Sequence, residues 1–300
     1  MKWIDFANPT TLDEAIRLLS EHGEKARVMA GGTDLIVQLR VSPERIGNAD
    51  LVIDGKGIPE LNEISFSKEE GLTLGASVPC YKIYQNPTIA ETYPGLIDSA
   101  SLIGGIQIQG RASIGGNLCN GTPSADSIPT LIAHNVVCKI VGPGGTREVD
   151  VEDFCTGPSR TILEPNELLV SLHFPAPPKG FGARYIRFIP RNEMDIAVAG
   201  VGASVQLDEK NSVIKSARVA LASVGPTPIL VNEATSALVG KSPEDESAIS
   251  KAGQAAKSAA TPINDMRGTV EYRKHLCDVL TRRALNAAIT RAKGGTIDVH

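Results

Sequence analysis

Two pairs of adjacent glycines constrain this chain more than anything else in its sequence. The first lies in Val28-Met29-Ala30-Gly31-Gly32-Thr33-Asp34-Leu35. The second lies in Ala112-Ser113-Ile114-Gly115-Gly116-Asn117-Leu118, with Pro123-Ser124-Ala125-Asp126 shortly after. Each pair ends a β-like run and has hydroxyl side chains beside it. Two glycines remove two Cβ atoms, so backbone N–H groups can turn inward and crowd an anion. One such turn is an ordinary loop. Two in one N-terminal half predict a ligand with an extended phosphate, held from both sides.

The rest of the chain sets the frame. Three hundred residues correspond to about two domains and suffice for a buried core. A composition of 42% hydrophobic and 21% charged residues is that of a globular protein. The net charge of −4 is spread without a basic stripe, and only 4% of residues are aromatic. Both facts argue against nucleic acid as a partner. The start, Met1 to Phe6, lacks the apolar core of a secretory signal, and no run approaches the roughly 20 apolar residues of a membrane span. Cys80, Cys119, Cys138, Cys155 and Cys277 form no C-x-x-C pair, so no zinc or iron–sulfur site is expected in this chain. The expectation is a cytoplasmic protein with no metal site of its own.

Along the chain, Thr11 with Glu14 reads as a capping box for a helix over Leu12 to Ser20 that Gly23 closes. Arg27 to Met29 reads as a short strand entering the first glycine turn, and Asp34 to Arg40 as helix. The amides of Gly31, Gly32 and Thr33 then sit at a helix N-terminus, where anions bind. Leu51 to Asp54 is a strand, Leu61 to Ile64 with Leu72 to Gly75 a hairpin or small meander, and Ile89 to Ile103 mostly helix, broken at Pro94-Gly95. The second glycine turn spans Ser113 to Leu118. A helix over Ser127 to Asn135 follows, then a strand from Val136 to Val141 and a turn at Gly142 to Thr146. Pro175 to Gly180 is a stiff joint between two units. Beyond it, Ala183 to Phe188, Ala197 to Leu207 and Ser216 to Ala222 predict an antiparallel three-stranded meander. Helices follow over 232–239, 244–259 and 268–292.

Four ordered blocks carry a resemblance. They are Ala30 to Leu35; Ser113 to Asn117 with Pro123 and Asp126; Glu167 to Pro175; and Arg187-Phe188-Ile189-Pro190-Arg191-Asn192-Glu193-Met194-Asp195-Ile196-Ala197. Over nearly its whole length the chain resembles the FAD-binding medium subunit of the molybdenum hydroxylases, the group of xanthine and carbon monoxide dehydrogenases. The resemblance implies an α+β fold: a vanillyl-alcohol-oxidase-like (PCMH-type) FAD-binding domain of two subdomains over residues 1–176, and a C-terminal flavoprotein domain over 177–300. It implies non-covalent FAD, with Met29, Ala30, Gly31, Gly32, Thr33, Asp34, Leu35 and Ile36 on one side of the pyrophosphate and Ser113, Ile114, Gly115, Gly116 and Asn117 on the other. Asp126 would tie down a polar part of the dinucleotide. Ile103 would pack near the adenine, Leu169 would line the flavin, and Arg187 would bring a cation to the ring, with Asp195 and Ile196 nearby. The flavin does the redox chemistry, so no catalytic acid, base or nucleophile is nominated.

The same resemblance implies two partners, a small [2Fe-2S] subunit and a large molybdopterin subunit, arranged as a dimer of heterotrimers, with NAD or another carrier as electron acceptor. The inserted four-cysteine segment of the hydroxybenzoyl-CoA reductases is missing, and Cys119-Asn120-Gly121-Thr122 replaces the usual small-residue run after Gly-Gly-Asn. Two rival readings are a stand-alone FAD-dependent oxidoreductase and a flavin-free scaffold subunit. Plainer roles also stand beside each residue. Asp126 suits a helix N-cap, Arg187 an ion pair, Ile103 and Leu169 the core, and Cys119 a small buried hydrophobe. His134 and His173 read as structural, and Arg291 with Lys293 as a solvated helix face or a subunit contact.

Overall fold

The computed structural model describes residues 3–41, 47, 49–191 and 194–298. Asn192 and Glu193 of the fourth block, and Met1 and Lys2 of the N-terminus, lie outside the described residues.

The chain begins with β1 (Asp5–Ala7), α1 (Leu12–His22), β2 (Ala26–Met29), α2 (Leu35–Val41) and β3 (Leu51–Asp54). Thr11 Oγ1 accepts from the Glu14 amide at 3.2 Å, and Glu14 answers by accepting from the amide of Thr10 rather than Thr11. Gly23, at φ +54° and ψ −130°, takes a conformation that favours glycine and ends α1. Ala15 and Leu19, one helical turn apart, are its buried face. The strands form a parallel sheet in the order β1-β3-β2, and central β3 is buried at every residue, as a parallel strand covered on both faces must be.

Next come α3 (Pro59–Asn62), β4 (Ile64–Ser67), β5 (Gly71–Gly75), α4 (Cys80–Tyr84), α5 (Pro87–Thr92), α6 (Pro94–Ala100), α7 (Ile106–Gln109), α8 (Ile114–Asn120) and α9 (Ser127–Ala133). They are followed by β6 (Val137–Gly142), β7 (Gly145–Asp150), a two-stranded ribbon of β8 (Cys155–Gly157) and β9 (Arg160–Thr161), and β10 (Leu168–Pro175). An antiparallel sheet of order β4-β5-β10-β6-β7 runs through this part. β10 is its buried centre, and Tyr93 Oη donates to the Phe174 and Pro175 carbonyls at 3.3 and 3.1 Å.

Three expectations shift here. Leu61 belongs to a one-turn helix, and only Ile64 starts the hairpin strand. The helical run read over Ile89 to Ile103 ends at Ala100. Gly115 and Gly116 sit inside the first turn of α8 rather than in a loop, because Ser113 caps that helix through a 3.0 Å bond to the Gly116 amide.

Beyond the joint, β11 (Phe181–Phe188), β12 (Ala199–Leu207) and β13 (Ile214–Ala222) form the expected meander, and two-residue β14 (Ile229–Leu230) adds a short fourth strand. α10 (Asn232–Leu238), α11 (Glu246–Ala259) and α12 (Val270–Ala292) complete the chain. The two faces of β12 carry different residues. Ala199, Val201, Ala203, Val205 and Leu207 join a second hydrophobic core with the helices that follow. Gly200, Gly202 and Ser204 face the N-terminal part instead, where Ser204 Oγ donates to the Ala133 carbonyl at 2.6 Å. The small residues let α9 press directly on the strand. A Cβ on Gly202 would lie 2.3 Å from the Pro129 carbonyl oxygen. Among the described residues no helix is long and apolar enough to cross a membrane, and no group of His, Cys, Asp and Glu is placed to hold a metal ion.

Candidate functional site

The first glycine pair follows β2 and leads into α2. Gly32 has φ +76°, a conformation that favours glycine. At Gly31 the reason is space: a Cβ would lie 1.9 Å from the Arg111 carbonyl oxygen. The stretch before α8 therefore runs against the first loop with no side chain between them, and Arg111 Nε donates to the Gly31 carbonyl at 3.3 Å. Gly115 is likewise closed in, with a Cβ meeting the Ala76 carbonyl oxygen at 2.5 Å. A Cβ on Gly116 would stand 3.7 Å from that of Ala30, so the two glycine pairs are neighbours. Gln38 on α2 joins them again by donating to Asn120 Oδ1 on α8 at 3.3 Å. The structure thus brings together Ala30 to Leu35 and Ser113 to Asn117, with the Ile36 amide bonded to the Gly32 carbonyl and the Gly116 amide to Ser113 Oγ.

A cleft of about 320 Å³ opens beside Ala30 and Gly31. Its walls include Lys56, Lys82 and Arg111, three cations that the sequence reading did not single out. Lys56 Nζ lies 3.0 Å from Asp54 Oδ1.

Asp126 and Arg187 lie 61 residues apart and meet at 2.7 Å, Nη1 donating to Oδ2. Asp126 Oδ1 accepts from Tyr185 Oη, also at 2.7 Å. The carboxylate therefore does not cap α9, although it holds the N-cap position. That work falls to Asn117, whose Oδ1 accepts from the Ser127 amide at 3.2 Å and from its hydroxyl at 2.6 Å. Burial pushes the Asp126 carboxyl up to about 6, against the pull of Arg187 and Tyr185. Burial also pushes the Tyr185 phenol well above its ordinary range, so it stays a donor. Arg187 is an ion-paired residue, 5% exposed, and its Nε–H is buried with no hydrogen-bond partner among the described residues. Tyr185 escaped the sequence reading; its spacing of two from Arg187 on a strand, which puts both on one face, was the available signal.

The remaining nominated residues divide by exposure. Met29, Ile103, Ile114 and Leu169 are buried, with Leu169 beside an irregularity in the β10–β6 pairing. Ile36 is 47% exposed and stands next to Gly32, while Asp34 is exposed and accepts the Gln38 amide through its carbonyl. Met194 reaches the backbone at Gly105, and Ile196 is exposed beyond it. Cys119 is exposed rather than buried, because α8 turns it outward. His134 is structural, packed among Tyr93, Phe174 and Phe181. His173 sits in β10, with Nδ1 3.3 Å from Thr73 Oγ1.

This arrangement fits a dinucleotide cofactor. The glycine pairs let the two segments pack closely side by side, cations line the adjoining cleft, and a buried guanidinium keeps one donor unspent. Comparison with known proteins agrees. Residues 2–177 match the family model of the FAD-binding domain in molybdopterin dehydrogenase, and residues 184–288 that of the CO dehydrogenase flavoprotein C-terminal domain. The chain is 31% identical over 294 residues to a xanthine dehydrogenase FAD-binding subunit of Escherichia coli O157:H7, covering 97% of this chain and 98% of that one. It is 32% identical over 289 residues to the carbon monoxide dehydrogenase medium chain of Hydrogenophaga pseudoflava, covering 96% and 97%. The carbon monoxide dehydrogenase structure from the same organism superposes with a TM-score of 0.90 at 30% identity, covering 97% of this chain and 98% of that one. Quinoline 2-oxidoreductase from Pseudomonas putida 86 gives 0.86 at 28% identity, covering 97% and 99%.

Proposed function

The chain belongs to the FAD-binding subunits of the molybdopterin dehydrogenases, and from that premise we propose that it is the electron-transfer subunit of a molybdenum hydroxylase complex. In this reading it accepts electrons from a small [2Fe-2S] subunit, served in turn by a large molybdopterin subunit, and passes them to NAD or another acceptor. The complex is a cytoplasmic dimer of heterotrimers. Residues 1–176 are the FAD-binding unit and 177–300 the unit that closes over it.

The two glycine pairs, pressed together at Gly31 and Arg111, carry this reading. Ala30 to Leu35 and Ser113 to Asn117 would hold the pyrophosphate by backbone N–H groups, whose partial positive charge offsets the phosphates. Asp126 would accept a hydroxyl of the dinucleotide, and Arg187 would set a fixed positive charge beside the ring. Met29, Ile36, Ile103 and Leu169 would supply apolar wall. The bound flavin supplies one- and two-electron chemistry. The chain's residues bind and orient it and exclude water, so no side chain is assigned proton transfer.

The test is an absorbance spectrum of the native assembly purified through this chain, with its subunits resolved on a gel. Flavin and iron–sulfur bands with one smaller and one larger companion support the proposal. Flavin on a solitary chain that turns over alone overturns it in favour of an independent oxidoreductase. A colourless preparation overturns it in favour of a scaffold.

A further inference from the structure

Tyr185 stands outside the glycine cradle yet reaches the residues beside it. It lies on β11 two positions before Arg187, so the two side chains leave the same face. Each takes one oxygen of Asp126, at 2.7 Å in both cases. The room for this comes from β12, where Gly202 and Gly200 stand opposite Tyr185 and Arg187 in register. A Cβ on Gly200 would lie 2.7 Å from Tyr185 Oη. Any other residue there would push the hydroxyl off its acceptor.

A tyrosine buried to 1% exposure needs some hydrogen-bond acceptor, and core packing alone accounts for that much. It does not account for the choice of a buried carboxylate already paired to an arginine. Tyr185 holds Oδ1 toward itself and Arg187 meets Oδ2 alone, a single-point contact. The two-pronged pairing that arginine and carboxylate prefer is not made here. The Arg187 side chain is 5% exposed, and its Nε–H has no partner among the described residues. Leaving a charged donor unsatisfied in the interior is costly unless something else completes it.

We propose that Tyr185 is a positioning residue of the cofactor site. By fixing the orientation of the Asp126 carboxylate it sets where the Arg187 guanidinium, with its spare donor, stands for the bound flavin. This deepens the FAD-binding reading and rests on it. Tyr185 acts through Arg187, so its effect vanishes when the guanidinium is gone.

The experiment is a double-mutant cycle on the full-length chain, using Tyr185→Phe, Arg187→Met and both together. Free FAD is titrated into each flavin-free preparation, followed by flavin fluorescence and the visible absorption band, and the melting temperature of each preparation is recorded without FAD. Tyr185→Phe is expected to weaken FAD binding about tenfold, equivalent to ~1.4 kcal/mol, and to shift the flavin band. On the Arg187→Met background it should change neither. Wild-type affinity and spectrum in Tyr185→Phe overturn the proposal. So do effects that add across the cycle, or an affinity loss explained by a lower melting temperature of the flavin-free chain. Failure of the wild type itself to bind FAD overturns the FAD-binding reading instead.

Discussion

Asp98 and Arg291, 193 residues apart, close a two-pronged ion pair with N···O distances of 2.6 and 2.9 Å. Arg184 adds a third contact at 2.9 Å, and the Tyr185 amide donates a fourth at 3.1 Å. Asp98 is fully buried, and α6, β11 and α12 all meet on it. Arg291, read from sequence as part of a solvated face or a subunit contact, is instead 6% exposed and pins the last helix to the N-terminal part.

Asp98→Ala therefore takes away the buried carboxylate that Arg291 pairs with. A buried pair broken from one side costs about 3–5 kcal/mol. A denaturant titration followed by tryptophan-independent circular dichroism should register a loss of that size, and a loss below about 1 kcal/mol would show that water replaces the carboxylate.

Gly31→Ala would drive the Arg111 carbonyl away and part the two glycine segments. The purified protein should keep less than about a tenth of the wild-type flavin, a change of at least ~1.4 kcal/mol. Gly144→Ala, in the turn between β6 and β7, is the control, since a Cβ there meets nothing within 4 Å. The ratio of flavin to protein absorbance reads both, and equal flavin in the two variants contradicts the cradle.

His134 is buried and donates to the Thr130 carbonyl, and burial lowers its pKa to about 4. The unfolded chain, near 6.5 at this residue, then binds the proton more tightly than the native one. Stability from this group is full above pH 6.5 and is lost as pH falls toward 4, by up to about 3 kcal/mol. His134→Gln, which does not titrate, should flatten that part of the stability–pH curve. An unchanged slope would assign the acid sensitivity elsewhere.

Asp126 works with the opposite sign. Its pKa is raised from 3.8 to about 6, so the native state binds the proton more tightly than the unfolded chain. The contribution is full below 3.8 and is lost as pH rises through 6, again by no more than about 3 kcal/mol. Asp126→Asn should remove this slope in the flavin-free protein, as measured by denaturation at pH 4, 5, 6 and 7. A slope that survives the substitution would mean that the carboxyl titrates normally.

Local requirements were legible in the sequence. Gly32 needs its φ, Thr11 its cap, and the alternation in Ala199 to Leu207 its strand, and each is settled by a few neighbouring residues. What stayed hidden depends on distant partners. The position of Asp126 suits the N-cap of α9, yet the cap comes from Asn117, nine residues earlier. Nothing near Arg291 announces Asp98. Lys56, Lys82 and Arg111 are ordinary surface cations until folding sets them around one cleft.

The span from Asp126 to Tyr185 also sets a schedule. During synthesis the aspartate leaves the ribosome 59 residues ahead of the tyrosine, about 3–12 s at usual elongation rates. For that interval both glycine segments exist while the strand that closes the carboxylate does not. A newborn N-terminal half is thus a vessel with one wall still to come, and capture of the cofactor in its finished geometry waits for β11 to be made.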